Sequence, residues 1–234
     1  MNEILGRFKK SKATSFIMLI NLVVFILILI NGGFTSENLL RFGASNSELI
    51  TSGQYYRVLS QLFVHVSLVH FIFNMFVICM MASSVEKRFG PKSVILTFLL
   101  AGVVDELISF QVLEKWEASG GSSTGYFGLY GLAIGTLFFY KDEDLRKWSR
   151  QFILPAILIL LVSEVYFRLR GGNPHFLLAY NKSHLVGFFT GLLLSGVFPV
   201  KGYDLNKKTR FIFTGLFMVL LALLILSFYF KVSI

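Results

Sequence analysis

The sequence predicts an all-α polytopic membrane protein, and three observations carry that reading. The 234 residues are 55% hydrophobic and include 26 phenylalanines, with a mean hydropathy of +0.69. Only 15% are charged, against about a quarter in a soluble domain. Seven apolar segments approach the ~20 helical residues that a hydrocarbon core requires. They are 15–31, 69–84, 93–112, 123–140, 152–167, 184–200 and 211–230.

The net charge of +9 is not gathered into the single patch that nucleic acid would need. Basic residues lie between the apolar segments, as membrane topology predicts. With the N-terminus cytoplasmic, fifteen Lys and Arg fall on inner loops and seven on outer ones. That bias predicts N-terminus in, C-terminus out. Cys79 is the only cysteine, so no intrachain disulfide or Cys-built metal site is expected. The first apolar segment follows a basic stretch from Arg7 to Lys12, as in a signal peptide. Its apolar run is long and no small-residue cleavage pattern follows, so it reads as a retained helix.

Residues 1–14 form a short basic cytoplasmic lead, suited to anionic lipid heads. After the first helix, 32–68 is a long outer segment, expected to carry structure or function of its own. Its Tyr55-Tyr56-Arg57 run suits either an element lying at the interface or a surface loop with an aromatic anchor. In the second helix, His70 and Asn74 are spaced i, i+4 and share a face near the outer end. Such polar groups are costly in lipid unless they face a polar interior. His65 lies on the other side of the turn and reads as a structural residue tying down the long loop. A metal held by His65 and His70 is the alternative, without a carboxylate or Cys nearby. Glu86 lies four turns below His70, roughly 24 Å away, and is expected to tie the inner ends of helices together.

Two adjacent acids, Asp105 and Glu106, interrupt the third helix. They mark a function, or else face a water-filled cavity or the outer boundary, with the span shorter than drawn; the second is preferred. The fourth helix opens with Ser123. Gly121, Gly125, Gly128 and Gly135 are expected on one face, allowing close helix approach, with Ser123 and Phe127 on another. That stretch reads either as a packing motif or as a functional serine. A solvated inner loop at 141–144 follows. The fifth helix contains Pro155 and Glu164. Its outer loop, 168–183, carries a turn signal at Gly171-Gly172-Asn173-Pro174 and a loop histidine, His175. In the sixth helix, His184, Gly187 and Gly191 share a face. The seventh has no ionisable residue within 211–230 and looks structural.

Helices two, four and six run from outside to inside under this topology. His70, Asn74, Ser123 and His184 are each expected in the first turns of their helix, at one depth in the outer leaflet. A serine, a histidine and two further donors at one level are the parts of a serine hydrolase. Apart from Asp105-Glu106, no carboxylate is an evident third member at that depth, which favours a Ser–His dyad over a triad.

These motifs resemble the rhomboid family of intramembrane serine proteases. His65, His70 and Asn74 match the family's H-x4-H-x3-N. Gly121-Ser122-Ser123 with the following glycines match its G-x-S-G run, and His184, Gly187 and Gly191 match H-x2-G-x3-G. Tyr56-Arg57 stands where the family has an aromatic-Arg motif, and Glu86 with Gly90 match the end of its second helix. The resemblance covers about 15–200. It implies a six-helix catalytic core over 15–200 and an extra helix in 201–234, seven helices in total. It also implies Ser123 as nucleophile, His184 as general base and then acid, and His70, Asn74 and the Ser123 N–H as oxyanion donors. Phe127 would pack on the His184 ring, and Phe73 would line a substrate route between helices two and five. The implied substrates are single-pass transmembrane proteins cut near the outer face of the bilayer. No metal or organic cofactor and no nucleic acid partner is implied. Two departures stand out: Thr124 replaces a glycine, and Asp105-Glu106 replace small residues. Inactive relatives that bind transmembrane clients usually lack the serine or the histidine; both are present here. A transporter would show broken helices or inverted repeats, and none is visible. A small chain without a targeting extension favours a bacterial inner membrane.

Overall fold

The computed structural model describes residues 11–112, 118–169 and 174–233, with the side chains of 167, 174–180 and 233 outside the description. Gly171, Gly172, Asn173 and the His175 side chain therefore lie outside the described residues. The described chain is helical apart from one isolated antiparallel bridge, Ser45 to Ser119. Its helices are α1 (Lys12–Ile30), α2 (Ser36–Arg41), α3 (Ser47–Thr51), α4 (Arg57–Ser60), α5 (Leu68–Phe89) and α6 (Pro91–Val112), then α7 (Ser123–Phe139), α8 (Glu143–Arg150), α9 (Ile153–Leu169), α10 (Pro174–Ser195) and α11 (Lys207–Ser233). Five stretches are long and apolar enough to cross a membrane: Lys12–Ile30, Leu68–Phe89, Pro91–Val112, Glu143–Tyr166 and Lys207–Val232. The protein is a multi-pass helical membrane protein.

Local chemistry sets the helix limits. Ser67 N-caps α5, its side chain accepting the His70 N–H at 3.1 Å. Gly90 ends that helix at φ +87°, a conformation few side chains adopt, and Pro91 then starts α6 at once. Of the solvated loop expected at 141–144, all four residues are exposed, but only Lys141 and Asp142 are loop, and Glu143 begins α8. Asp142 accepts the Leu145 N–H at 2.8 Å, acids fill the first turn of α8 and Lys147 and Arg150 its end, which suits the helix dipole. The 32–68 segment carries three short helices and a 3-10 turn at Gln61–Phe63. Buried Arg57 holds it closed, donating to the carbonyls of Leu40 (2.8 Å) and Ala44 (2.6 Å) and to Gln54 Oε1.

At the bundle centre stands α7, most of whose residues are buried. It packs most extensively on α10, with α6 against both. Glycines permit this closeness. A Cβ on Gly191 would fall 1.8 Å from the Gly128 carbonyl oxygen, and one on Gly131 would fall 1.9 Å from that of Phe188. The expected single glycine face divides between two neighbours: Gly125 and Gly128 meet α6 at Phe98 and Ala101, while Gly131 and Gly135 meet α10. At one end Glu86 accepts from the N–H groups of Ala13 (3.0 Å) and Thr14 (2.8 Å) and from the Thr14 hydroxyl (2.8 Å). A carboxylate thus caps the positive end of α1. The last helix lies along the edge of this core, burying Phe217 against it, and its Lys231 donates to the Phe110 carbonyl at the end of α6 at 2.6 Å.

Candidate active site

Ser123 is placed by the two residues before it. Gly121 has φ +149°, and a Cβ there would lie 2.5 Å from the His70 ring. Glycine therefore lets α5's imidazole rest against the chain entering α7. The fully buried Ser122 hydroxyl sits 2.7 Å from Asn21 Oδ1 and 2.9 Å from the Leu62 carbonyl, its proton available to either. That pins the start of α7 to α1 and the 32–68 segment. Ser123 is the first residue of α7, where backbone N–H groups have no partner within the helix.

Ser123 opens onto a cavity of about 390 Å³, lined also by His70, Phe73 and Asn74 of α5, Tyr126 of α7, Ile159, Ser163 and Tyr166 of α9, and His184 of α10. Both ring nitrogens of His70 lack a hydrogen-bond partner among the described residues. Buried polar atoms are rarely left so without a use. Asn74 donates through Nδ2 to the His70 carbonyl at 2.7 Å; an amide nitrogen carries two protons, so one remains. His184 is 3% exposed, and its ring stacks on Phe127 at 4.6 Å between centroids and 24° between planes. Fully buried His65 stands edge-on to His70 at 5.3 Å and to Phe71 at 5.4 Å. Burial first, and the opposed His70 second, push it down to about 3, so it is a neutral wedge behind His70. Among the described residues no three His, Cys, Asp or Glu side chains are grouped to hold a metal ion.

One expectation needs correction. His184 is not in the first turn of its helix, because α10 begins at Pro174. Ser183 looks like an N-cap in sequence, but Pro174 is already a helix-starting residue. Asp105 and Glu106 are packed inside the protein. The helix continues to Val112, and both acids are 5% exposed, packed among Ser45, Thr124 and Lys182.

Residues 52–201 match the rhomboid domain. The chain belongs to the rhomboid family. This rhomboid is 28% identical over 203 residues to "Rhomboid protease GluP" of Bacillus subtilis, covering 86% of this chain and 37% of that protein. Over 195 residues it is 27% identical to "Rhomboid-like protease 3" of Toxoplasma gondii, covering 82% of this chain and 70% of that one. It is also 28% identical over 183 residues to "Inactive rhomboid protein 1" of Rattus norvegicus, covering 76% of this chain and 20% of that one. The chain thus spans little more than a third of its Bacillus relative. The relatives come from bacteria and eukaryotes, and include proteases and inactive proteins. Every residue singled out for this rhomboid's site falls within the matched stretch, whereas α11 lies beyond it.

Sequence reasoning missed several contributors. Ser67 carries a readable signal, a serine immediately before an apolar helical run. Gly131 sits one turn from Gly128 and Gly135 and was outside the expected face. Asn21, alone in an apolar helix, had a polar-in-membrane signal, but only the fold pairs it with Ser122. Glu164 joins α9 to α10 by accepting from Asn181 at 2.9 Å, and pairs with Arg168 at 2.7 Å.

Proposed function

We propose that this rhomboid is an intramembrane serine endopeptidase cutting single-pass transmembrane proteins near the outer face of the bilayer with a Ser123–His184 dyad. The observation that carries this reading is one cavity lined by Ser123, His184, His70 and Asn74. His184 takes the Ser123 proton as Oγ attacks the scissile carbonyl carbon. The developing oxyanion is held by His70, Asn74 and the Ser123 N–H. His184 then protonates the leaving amine, and a water, deprotonated by the same ring, hydrolyses the acyl-enzyme. The Phe127 stack keeps the imidazole plane fixed through these transfers. The orientation that suits this chemistry has seven helices and a cytoplasmic N-terminus, following the fifteen-to-seven bias of basic residues. Residues 15–200 form the catalytic core in this reading, and 201–234 add a cytoplasmic loop and the last helix. Phe73 and Ile159 also border a second cavity of about 520 Å³ between α5 and α9, which supports substrate entry on that side.

The similarity to an inactive rhomboid favours a second reading, a protein that binds transmembrane clients without cutting them. Cleavage of a transmembrane reporter in liposomes, with Ser123→Ala and His184→Ala alongside, separates the two. The protease reading expects cleavage by wild type and at least a thousandfold loss in each variant, about 4 kcal/mol of transition-state stabilisation. Undiminished cutting by Ser123→Ala would remove the dyad. A folded wild type that neither cuts nor reacts with a fluorophosphonate would leave the client-binding reading in its place.

A further inference from the structure

The chain that reaches Ser123 hangs from two supports, and one of them is α1. On one side the Gly121 N–H donates to the Gln61 carbonyl at 3.0 Å, in the 3-10 turn of the 32–68 segment. On the other, the Ser122 hydroxyl donates to Asn21 Oδ1 at 2.7 Å. The Asn21 amide can face only one way. Its Nδ2 donates to the Ile17 carbonyl at 2.8 Å, and a carbonyl oxygen only accepts. Oδ1 therefore faces Ser122 as an acceptor, nearer than the Leu62 carbonyl at 2.9 Å. Asn21 and Ser122 are both fully buried, and Asn21 is the only polar residue from Phe16 to Ile30. A polar side chain in such a span is costly and by default marks a function.

What this contact fixes is the group that follows it. The first bond within α7 runs from the Tyr126 N–H to the Ser122 carbonyl at 3.0 Å, so the Ser123 N–H has no partner inside the helix. Its direction is set by the peptide joining Ser122 to Ser123. The His70 ring leans on the same stretch, since a Cβ on Gly121 would fall 2.5 Å from it. One turn along α1 from Asn21, Phe25 stacks on Phe71 at 3.8 Å and 9°. Phe71 stands edge-on to His65, and His65 edge-on to His70. Thus α1 backs the Ser123 N–H through Asn21 and the His70 ring through Phe25, although none of the described residues lining the cavity is its own.

We infer that Asn21 is a positioning residue that, through Ser122, holds the Ser123 backbone N–H where the oxyanion forms. This rests on the dyad reading given above. Asn21 touches no reacting atom, and its effect comes through the aim of a donor. Losing one oxyanion donor outright costs about 100- to 1,000-fold in kcat, and misaligning one costs less than losing it.

The test uses the full chain in liposomes and reads three quantities: kcat and KM on a transmembrane reporter, the rate of fluorophosphonate labelling, and the thermal unfolding midpoint. Rates are taken well below every midpoint, so that the folded fraction does not enter them. Asn21→Leu and Ser122→Ala each lower kcat and labelling about tenfold, with KM close to wild type. The double variant is no slower than the slower single one, because both act through one contact. A merely structural contact would lower the midpoints and leave kcat and labelling at wild-type values, which overturns the inference. A full multiplicative loss in the double variant overturns it too, as does a rise in KM with kcat unchanged. If Asn21→Leu does not fold, Ser122→Ala, which removes one hydroxyl and adds no volume, decides alone. A wild type that does not label sinks the dyad reading and this inference together; a wild type that labels, with no change in either variant, sinks only the inference.

Discussion

The two flanks of the cavity are built on opposite principles. On one side α7 and α10 meet backbone to backbone, with Gly131 and Gly191 leaving no room for a methyl group. On the other, α9 approaches α7, α8 and α10 more extensively than it does α5, and cavities open between α9 and α5. Ser123 and His184 both stand on helices of the tight side. The difference teaches how such a site reconciles rigidity with access. In the protease reading, reacting groups need fixed separation, and a bulky helical substrate needs a flank that can yield. Packing without intervening side chains fixes the first pair, because close-packed surfaces do not deform continuously.

Breaking the tight side produces the largest effect. In Gly191→Ala the new Cβ would lie 1.8 Å from the Gly128 carbonyl oxygen. Backbone atoms cannot swing aside as a flexible side chain can, so α7 and α10 must separate. A cost above about 3 kcal/mol is expected, at the high end for overpacking, with cleavage and fluorophosphonate labelling both lost. Thermal unfolding together with labelling checks this; a folded, fully labelled variant would show that the two helices are not held by that contact.

Loosening the open side should act on substrate and not on the fold. Phe73 is 37% exposed and borders both cavities. Phe73→Ala is expected to change stability by about 1 kcal/mol or less, to leave the labelling rate unchanged and to alter KM for transmembrane reporters severalfold. Labelling and cleavage falling in step would place Phe73 in the packing of the dyad and not on a substrate path.

The same contrast explains what could be read without coordinates. Polar residues misplaced in apolar helices announce themselves one at a time, so His70, Asn74 and His184 were legible as a group facing inward. Close helix approach was legible from glycine content. Which neighbour each glycine meets was not, because Gly125 and Gly128 turn to α6 while Gly131 and Gly135 turn to α10, a split set by three-dimensional crossing. The purpose of Arg57 was partly hidden, since beside Gln54 its partners are the backbone carbonyls of Leu40 and Ala44, which no side-chain pattern encodes. Asp105 and Glu106 were visible as anomalies. Their partners lie 19 and 61 residues away in sequence, beyond any periodicity.

The smallest effect belongs to the least buried of the membrane-spanning helices, and it isolates contact from residue type. Gly215 is a helical glycine on α11, and a Cβ built there meets nothing within 4 Å. Gly215→Ala is chemically the same change as Gly191→Ala. With no atom to displace, what remains is helix propensity, which favours alanine by up to about 1 kcal/mol. The expected outcome is an unfolding midpoint equal to or slightly above wild type, with labelling and cleavage unaltered. A marked destabilisation would mean that α11 packs through Gly215 in the bilayer, against a second copy or another helix. Opposite signs for one substitution at two glycines would show that distance to the neighbouring backbone, and not glycine as such, makes the α7–α10 flank rigid.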